Sequence, residues 1–352
     1  MRPIEVAQVG WDIGGAHVKV AAVDAGGRVV AALQVPCALW RGLDQLESAL
    51  QQALAALPIT AADASHAATM TGELADLFAD RPQGVERIVE TLQRRCGAAR
   101  LRVFAGERGF LDPERAVQYP ADVASANWLA TARVIAGRIG EALLVDIGST
   151  TTDLVAVHDG RVVAAGRSDF DRLVSGELVY SGVVRTPLMA ITDAIEFEGL
   201  RIPLMAELFA TTADVYRLTG ELDERYDQHA SADGAEKTLH GSARRLARMI
   251  GRDARERPIG AWQTLAASFR ATQLEHIRRA VQQVLLRAKV APGGMLVAAG
   301  SGAFLVPEPA RALSRKATDF ARLVESRLDD PAALSVCAPA VAVALLAQRA
   351  TA

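Results

Sequence analysis

The chain has 352 residues, a net charge of −2 from 39 basic and 41 acidic side chains, and a composition 50% hydrophobic and 23% charged. That is enough apolar material for two domains of ordinary size and too much for a disordered polymer. The charge balance excludes a surface built for nucleic acid or anionic membrane, but leaves polyphosphate ligands open, because backbone amides bind them whatever the global charge.

MRPIEVAQVG at the N-terminus has no apolar signal core, and a strand is expected to follow at once. From Val9 the chain reads VGWDIGGAHVKVAAVDAGGRVVAA, and from Leu143 it reads LLVDIGSTTTDLVAVHDGRVVAA. Asp12, Ile13 and Gly14 align with Asp146, Ile147 and Gly148, so each copy predicts a strand, a tight Asp-x-Gly turn, an alternating strand, a Gly turn and a third strand. The period of about 134 residues implies a duplicated domain rather than a solenoid. Between the copies, apolar spacing predicts helices over Leu43–Leu57, stopped by Pro58, and Val85–Cys96, stopped by Gly97. His66–Met70 and Leu101–Phe104 read as strands, and Pro120–Arg138 as one helix. After the second copy comes a polar stretch, Gly220–Gly241, with the composition of a long loop. Amphipathic helices are expected over Ser242–Ile250 and Trp262–Lys289, then a strand entering the Gly turn of residues 293–302. The apolar run Ala332–Ala347 is too short to span a membrane and reads as a buried terminal helix. The expected organisation is α/β, with domains at 1–138 and 139–352. Cys37, Cys96 and Cys337 are too scattered for a disulfide framework or a thiolate zinc site.

An Asp at a strand end with Gly two residues on sets a carboxylate beside backbone amides that a phosphate can approach without a Cβ clash; positive φ at the Gly is a further option. The carboxylate can hold Mg²⁺, which neutralises phosphate oxygens. Two such hairpins facing each other make a polyphosphate clamp. In the second, Ser149, Thr150, Thr151 and Thr152 add hydroxyl donors and Asp153 a carboxylate; the matching stretch of the first runs through His17 to Lys19, a cation.

At these residues the sequence resembles the actin-like ATPase and sugar-kinase superfamily. WDIGGAHVK, VDIGSTTTDL and VAAGSGAFLV are similar to its hydantoinase/oxoprolinase branch. MTGELAD, SANW, GELVYSGVVRTP and FATTADVYRLTGEL narrow the resemblance to a family of methanofuran-pathway synthases, over most of the chain from Asp12 to about Gly302. The resemblance implies duplicated actin-like (ribonuclease H-like) domains, with mixed sheets flanked by helices around a cleft. It also implies a transferase that joins the phenol oxygen of a tyramine-like or tyrosine-like acceptor to an aminomethylfuran bearing a diphosphate leaving group.

On that reading Asp12, Asp146 and Asp153 hold Mg²⁺, and Lys19 and Asp146 stabilise the leaving group. Gly14, Gly15, His17, Gly148, residues 149–152 and the turn Gly300, Ser301 and Gly302 surround the phosphates. His17 stands where the family carries asparagine. Glu73 is the candidate general base, expected to face the cleft, with a helix-start role as its alternative; Asp214 could serve instead, or cap a helix. Ser125 and Asn127 are substrate-binding or capping residues. Trp128 is core or a stacking platform, and Arg185 binds an anion or forms an ordinary ion pair. Asp227, His229 and Asp233 could hold a metal in the polar loop, and Arg244, Arg245 and Arg248 are expected on a solvated helix face. A cytoplasmic protein is expected, acting on small diphosphate substrates without nucleic-acid or membrane partners; homo-oligomerisation is open. Among the alternatives, an ATP-dependent kinase or an amide-ring hydrolase of the same superfamily needs a nucleotide site, so ATP stays open as a ligand. A catalytically silent actin-like regulator requires a self-assembly surface that no motif supports.

Overall fold

The computed structural model describes residues 6–57 and 64–351. Residues 1–5 and Pro58, the expected helix stop, lie outside them. The first copy folds as the expected meander: β1 (Val6–Ile13), β2 (His17–Asp24) and β3 (Val29–Pro36) are successive antiparallel strands. β4 (Ser65–Met70) and β5 (Leu101–Phe104) extend the sheet in parallel from β1, and β6 (Phe110–Leu111) closes the order β3-β2-β1-β4-β5-β6. Parallel neighbours need crossovers, supplied by α1 (Leu43–Ala56) and α2 (Arg81–Cys96). Both bury one helical stripe, Leu46, Ala49, Leu50 and Ala53 in α1 and Val85, Ile88, Val89 and Leu92 in α2. Asp80 caps α2 by accepting from the Gln83 N–H, and Gly97 ends it at φ 81°.

The helix expected over Pro120–Arg138 is broken. Its main part is α3 (Asn127–Ala136), and Ser125 before it lies in the left-handed region at φ 50°. The second copy then repeats the first. β7 (Ala142–Ile147) and β8 (Thr152–His158) form the hairpin, and the next position is shared by β9 (Arg161–Val163) and β10 (Leu178–Val179), separated by α4 (Asp169–Ser175). A separate hairpin, β11 (Ala194–Phe197) and β12 (Leu200–Pro203), precedes three helices: α5 (Thr212–Thr219), α6 (Leu239–Met249) and α7 (Ile259–Arg287). β13 (Met295–Ala299) and β14 (Ala317–Asp319) complete the second sheet in parallel with β7. The expected terminal helix divides near Cys337, and its longer part is α8 (Ala338–Thr351).

Four apolar layers stack in this order. α1 and α2 cover the outer face of the first sheet, α3 and α8 lie between the sheets, α5 and α7 cover the far face of the second, and α5, α6 and α7 enclose a further core with β11 and β12. Helix α8 packs directly on β1, β2 and β4, although it follows the second sheet in sequence. Gly10 permits this approach, because a Cβ there would lie 2.0 Å from the Ala340 carbonyl oxygen. The polar stretch after α5 is no free loop: it contains a turn at Glu224–Tyr226, and Gln228 Nε2 donates to the Gln34 carbonyl at 3.1 Å. Among the described residues no helix is long and apolar enough to cross a membrane. All three cysteines are free and buried.

Candidate active site

Register sets the charges. In the first hairpin Asp12 pairs with Lys19, and at the equivalent place in the second Asp146 pairs with Asp153. The two turns face a common cavity of about 580 Å³. Gly15, Ala16, Ser149, Thr150 and Thr151 line it, and their backbone N–H groups donate to no group among the described residues. Neither Gly14, Gly15 nor Gly148 has positive φ. Gly14 and Gly148 donate to the carbonyls of His17 and Thr151 at 2.9 and 2.8 Å, which closes each turn and leaves its tip amides free.

Around these amides the fixed charges are strongly perturbed. Asp146 is pushed up to about 7, first by burial and then by Asp153 and Asp12, against the pull of Lys19. Burial also raises Asp12, although Lys19 Nζ lies 3.6 Å away, and Asp12 Oδ1 is buried without a partner. For Lys19 burial disfavours the charge, but Asp12 and Asp146 outweigh it and the ammonium is held more firmly than usual. Asp153 is already engaged by Arg172 Nη1 at 2.8 Å. Arg172, almost wholly buried, lies with its guanidinium 4.2 Å over the Trp128 ring and also lines the cavity. Ser149 Oγ is buried without a partner.

Beside the first turn, Trp40, His17 and His229 form an aromatic cluster, with ring centroids 4.8 Å apart for the histidines and 5.5 Å apart for Trp40 and His229. His229 Nε2 lies 2.6 Å from the Ala16 carbonyl, so the polar stretch after α5 reaches the first turn. Burial, with the neighbouring His229, Lys19 and Arg185, holds His17 well below the usual imidazole range. Arg185 stacks 4.9 Å from the Trp40 ring centroid and forms no ion pair with any described residue. It therefore offers a guanidinium edge to an anion, and burial lowers its pKa accordingly.

Other expected site residues lie elsewhere. Glu73 does not face the cleft: it is 1% exposed, behind Ser125, whose Oγ lies 2.8 Å from Glu73 Oε1. Thr152 turns its hydroxyl to the Ser181 carbonyl, because it is the first residue of β8 and its side chain points off the turn. Asp214 caps α5 by accepting from the Thr211 N–H and is locked between Arg217 and Arg245. The turn at Gly300, Ser301 and Gly302 does not line the cavity; Gly300 and Gly302 donate to the carbonyls of Ser335 and Ile147, packing the turn beneath β7. Asp227 and Asp233 are held by arginines rather than gathered with His229 as a metal site. Arg244 and Arg248 are surface groups, but Arg245 is fully buried, against the expectation of a solvated face. Ser125 and Asn127 do line the cavity, and neither is the N-cap of α3, which is Ala126. Sequence reasoning missed Trp40, Asp169, Arg172 and Tyr180, which also line it. Ser168-x-x-Asp171 was legible as a capping box, but nothing local turns its neighbour Asp169 toward a cleft.

Comparison with known proteins places the geometry in context. The hydantoinase/oxoprolinase family profile matches residues 64–350. A (4-{4-[2-(gamma-L-glutamylamino)ethyl]phenoxymethyl}furan-2-yl)methanamine synthase of Methanocaldococcus jannaschii is 33% identical over 71% of this chain and 73% of its own length. Its namesake from Methanococcus vannielii is 32% identical over 32% of this chain and 50% of its own. Among solved structures, nucleotide-free acetone carboxylase superposes with a TM-score of 0.55 at 10% identity, over 96% of this chain and 70% of its own. At that identity the likeness is one of fold, and the paired sheets with their repeated hairpins are the actin-like ATPase arrangement expected from the sequence.

Proposed function

The chain belongs to the hydantoinase/oxoprolinase family, in the group of (4-{4-[2-(gamma-L-glutamylamino)ethyl]phenoxymethyl}furan-2-yl)methanamine synthases, and from that premise we propose that it is a transferase of methanofuran-type cofactor biosynthesis. It condenses an aminomethylfuran-methanol diphosphate with the phenol oxygen of a tyramine-type acceptor and releases pyrophosphate. The observation that carries this reading is the pair of turns whose tip amides, with Arg185, which forms no ion pair with any described residue, converge on one cavity as a set of anion donors.

Those amides receive the diphosphate oxygens, and Lys19 and Arg185 supply the opposing charge. As the furfuryl C–O bond breaks, negative charge grows on the departing diphosphate; donors already fixed in place stabilise it without reorganising. The furan ring stabilises the positive carbon left behind, so departure leads bond formation. Asp12 and Asp146 fit Mg²⁺: one carboxylate has an orphaned buried oxygen, and the other is held toward its neutral form by burial and neighbouring acids, a repulsion that a cation relieves. Mg²⁺ there would supply Lewis-acid neutralisation of the diphosphate. The apolar faces of Trp40 and Tyr180 suit an aromatic acceptor at the mouth.

The test is an incubation with Mg²⁺, the furfuryl diphosphate and tyrosine, tyramine or γ-glutamyltyramine, followed by mass spectrometry. An aryl ether with one pyrophosphate per ether is expected. ATP consumption in a parallel incubation supplied with ATP, without ether formation in the first, would replace this reading with a kinase.

A further inference from the structure

Glu73 Oε2 is buried and meets no polar partner. An ionised carboxylate there would be charged with half its acceptor capacity unmet, so burial favours the neutral acid and raises the group's pKa. Ser125 Oγ lies 2.8 Å from Glu73 Oε1 and 3.2 Å from Asp169 Oδ2. A hydroxyl has one hydrogen and cannot donate to two carboxylates at once. A proton on Glu73 Oε1 resolves the conflict: Glu73 donates to Ser125, and Ser125 donates to Asp169. Arg81 Nη2 donates to the same Asp169 oxygen at 2.8 Å.

Both donors therefore occupy Oδ2. Asp169 Oδ1 accepts from no group among the described residues, and Asp169 lines the same cavity as the turn amides. Ser125 takes up this bridging position in a left-handed backbone conformation that a non-glycine residue adopts only under strain. The charged or titratable groups facing Asp169 are Arg81 from the start of α2 and, through Ser125, Glu73 from the turn after β4. Arg172, on its own helix, is turned to Asp153.

We propose that Asp169 is a catalytic residue of the transfer: its Oδ1 takes the proton of the acceptor's phenol. The assignment rests on the transferase reading above. In the balanced step the furfuryl C–O bond breaks with its electron pair going to the diphosphate. The phenol oxygen supplies the pair for the new C–O bond, and its proton ends on Asp169, which returns it to solvent at the cavity mouth. Ser125, Glu73 and Arg81 are positioning residues: they hold Oδ2 and so aim Oδ1.

The experiment compares wild type, D169N and S125A with two acceptors, tyramine and a ring-fluorinated tyramine whose phenol is ionised at the assay pH. D169N is expected to lose about a hundredfold or more in kcat/KM with tyramine and less than about tenfold with the ionised phenol, which needs no base. S125A is expected to keep the base but to lose kcat with tyramine while KM and the rate with the ionised phenol stay near wild type, because Oδ2 is no longer held by Ser125 and Oδ1 is less well aimed. Equal losses with both acceptors, or no loss, would overturn the assignment. A wild-type enzyme that forms no ether with these phenols, with tyrosine or with γ-glutamyltyramine overturns the transferase reading and this assignment with it. Asp169 is partly exposed at a helix start, and thermal unfolding of each variant beside wild type detects any folding defect.

Discussion

Two buried aspartates keep different company. Asp146 has only distant help from Lys19, and its carboxyl sits near 7 rather than the ordinary 3.8. Between those values the folded chain keeps a proton that the unfolded chain has released. The group's stabilising contribution is thus present at acid pH and lost as pH rises toward 7. Asp146→Asn abolishes that loss: the variant should unfold at the same or higher urea concentration than wild type at pH 7.5, while turnover falls about a hundredfold or more. Asp214 has close partners instead: Arg245, Arg217 and Ser242 Oγ surround its carboxyl group. Asp214→Ala leaves Asp233 as the one carboxylate partner of Arg245 among the described residues and should cost about 3 kcal/mol in urea unfolding with little change in KM. In sequence both are an Asp before helical or strand-forming residues. Only the surroundings assembled by folding separate the catalytic candidate from the structural ion pair.

At the scale of elements, the duplicated hairpins were legible because strand alternation and Asp-x-Gly turns are local codes. The third glycine turn was legible as a turn but not as to its purpose. A Cβ on Gly300 would lie 2.2 Å from the Ile147 carbonyl oxygen and 2.5 Å from Asp146 Oδ1, and Gly300 has φ 80°. The glycine serves close packing beneath the strand that delivers Asp146. Gly300→Ala should therefore cost about 2–4 kcal/mol and also lower turnover, since β7 must shift; a variant with unchanged stability and kinetics would contradict that account. Helix α3 shows the converse failure. Its apolar spacing extended the expectation back to Pro120, whereas the Glu73–Ser125–Asp169 contacts accompany a break in the helix at Ser125.

For the whole molecule, α8 is the element that ties the two sheets together. Val341 is fully buried in the layer that also contains Ala21 and Ala67 of the first sheet and Leu144 and Val297 of the second. Val341→Ala should remove about 2 kcal/mol, and hydrogen exchange should show the loss in both β1 and β13; a loss confined to one sheet would mean that they unfold separately. The sequence by itself determined the α/β class, the repeated hairpins, the Asp12–Lys19 and Asp146–Asp153 positions and the family, because periodicity, turn chemistry and motif wording act over a few residues. Tertiary structure alone decided that Glu73 lies behind the cleft, that Asp214 and Arg245 form a buried pair, and that Asp169, Arg172 and Arg185 converge on the turns. Those outcomes depend on which distant side chains share a low-dielectric space, and chain neighbours do not encode that.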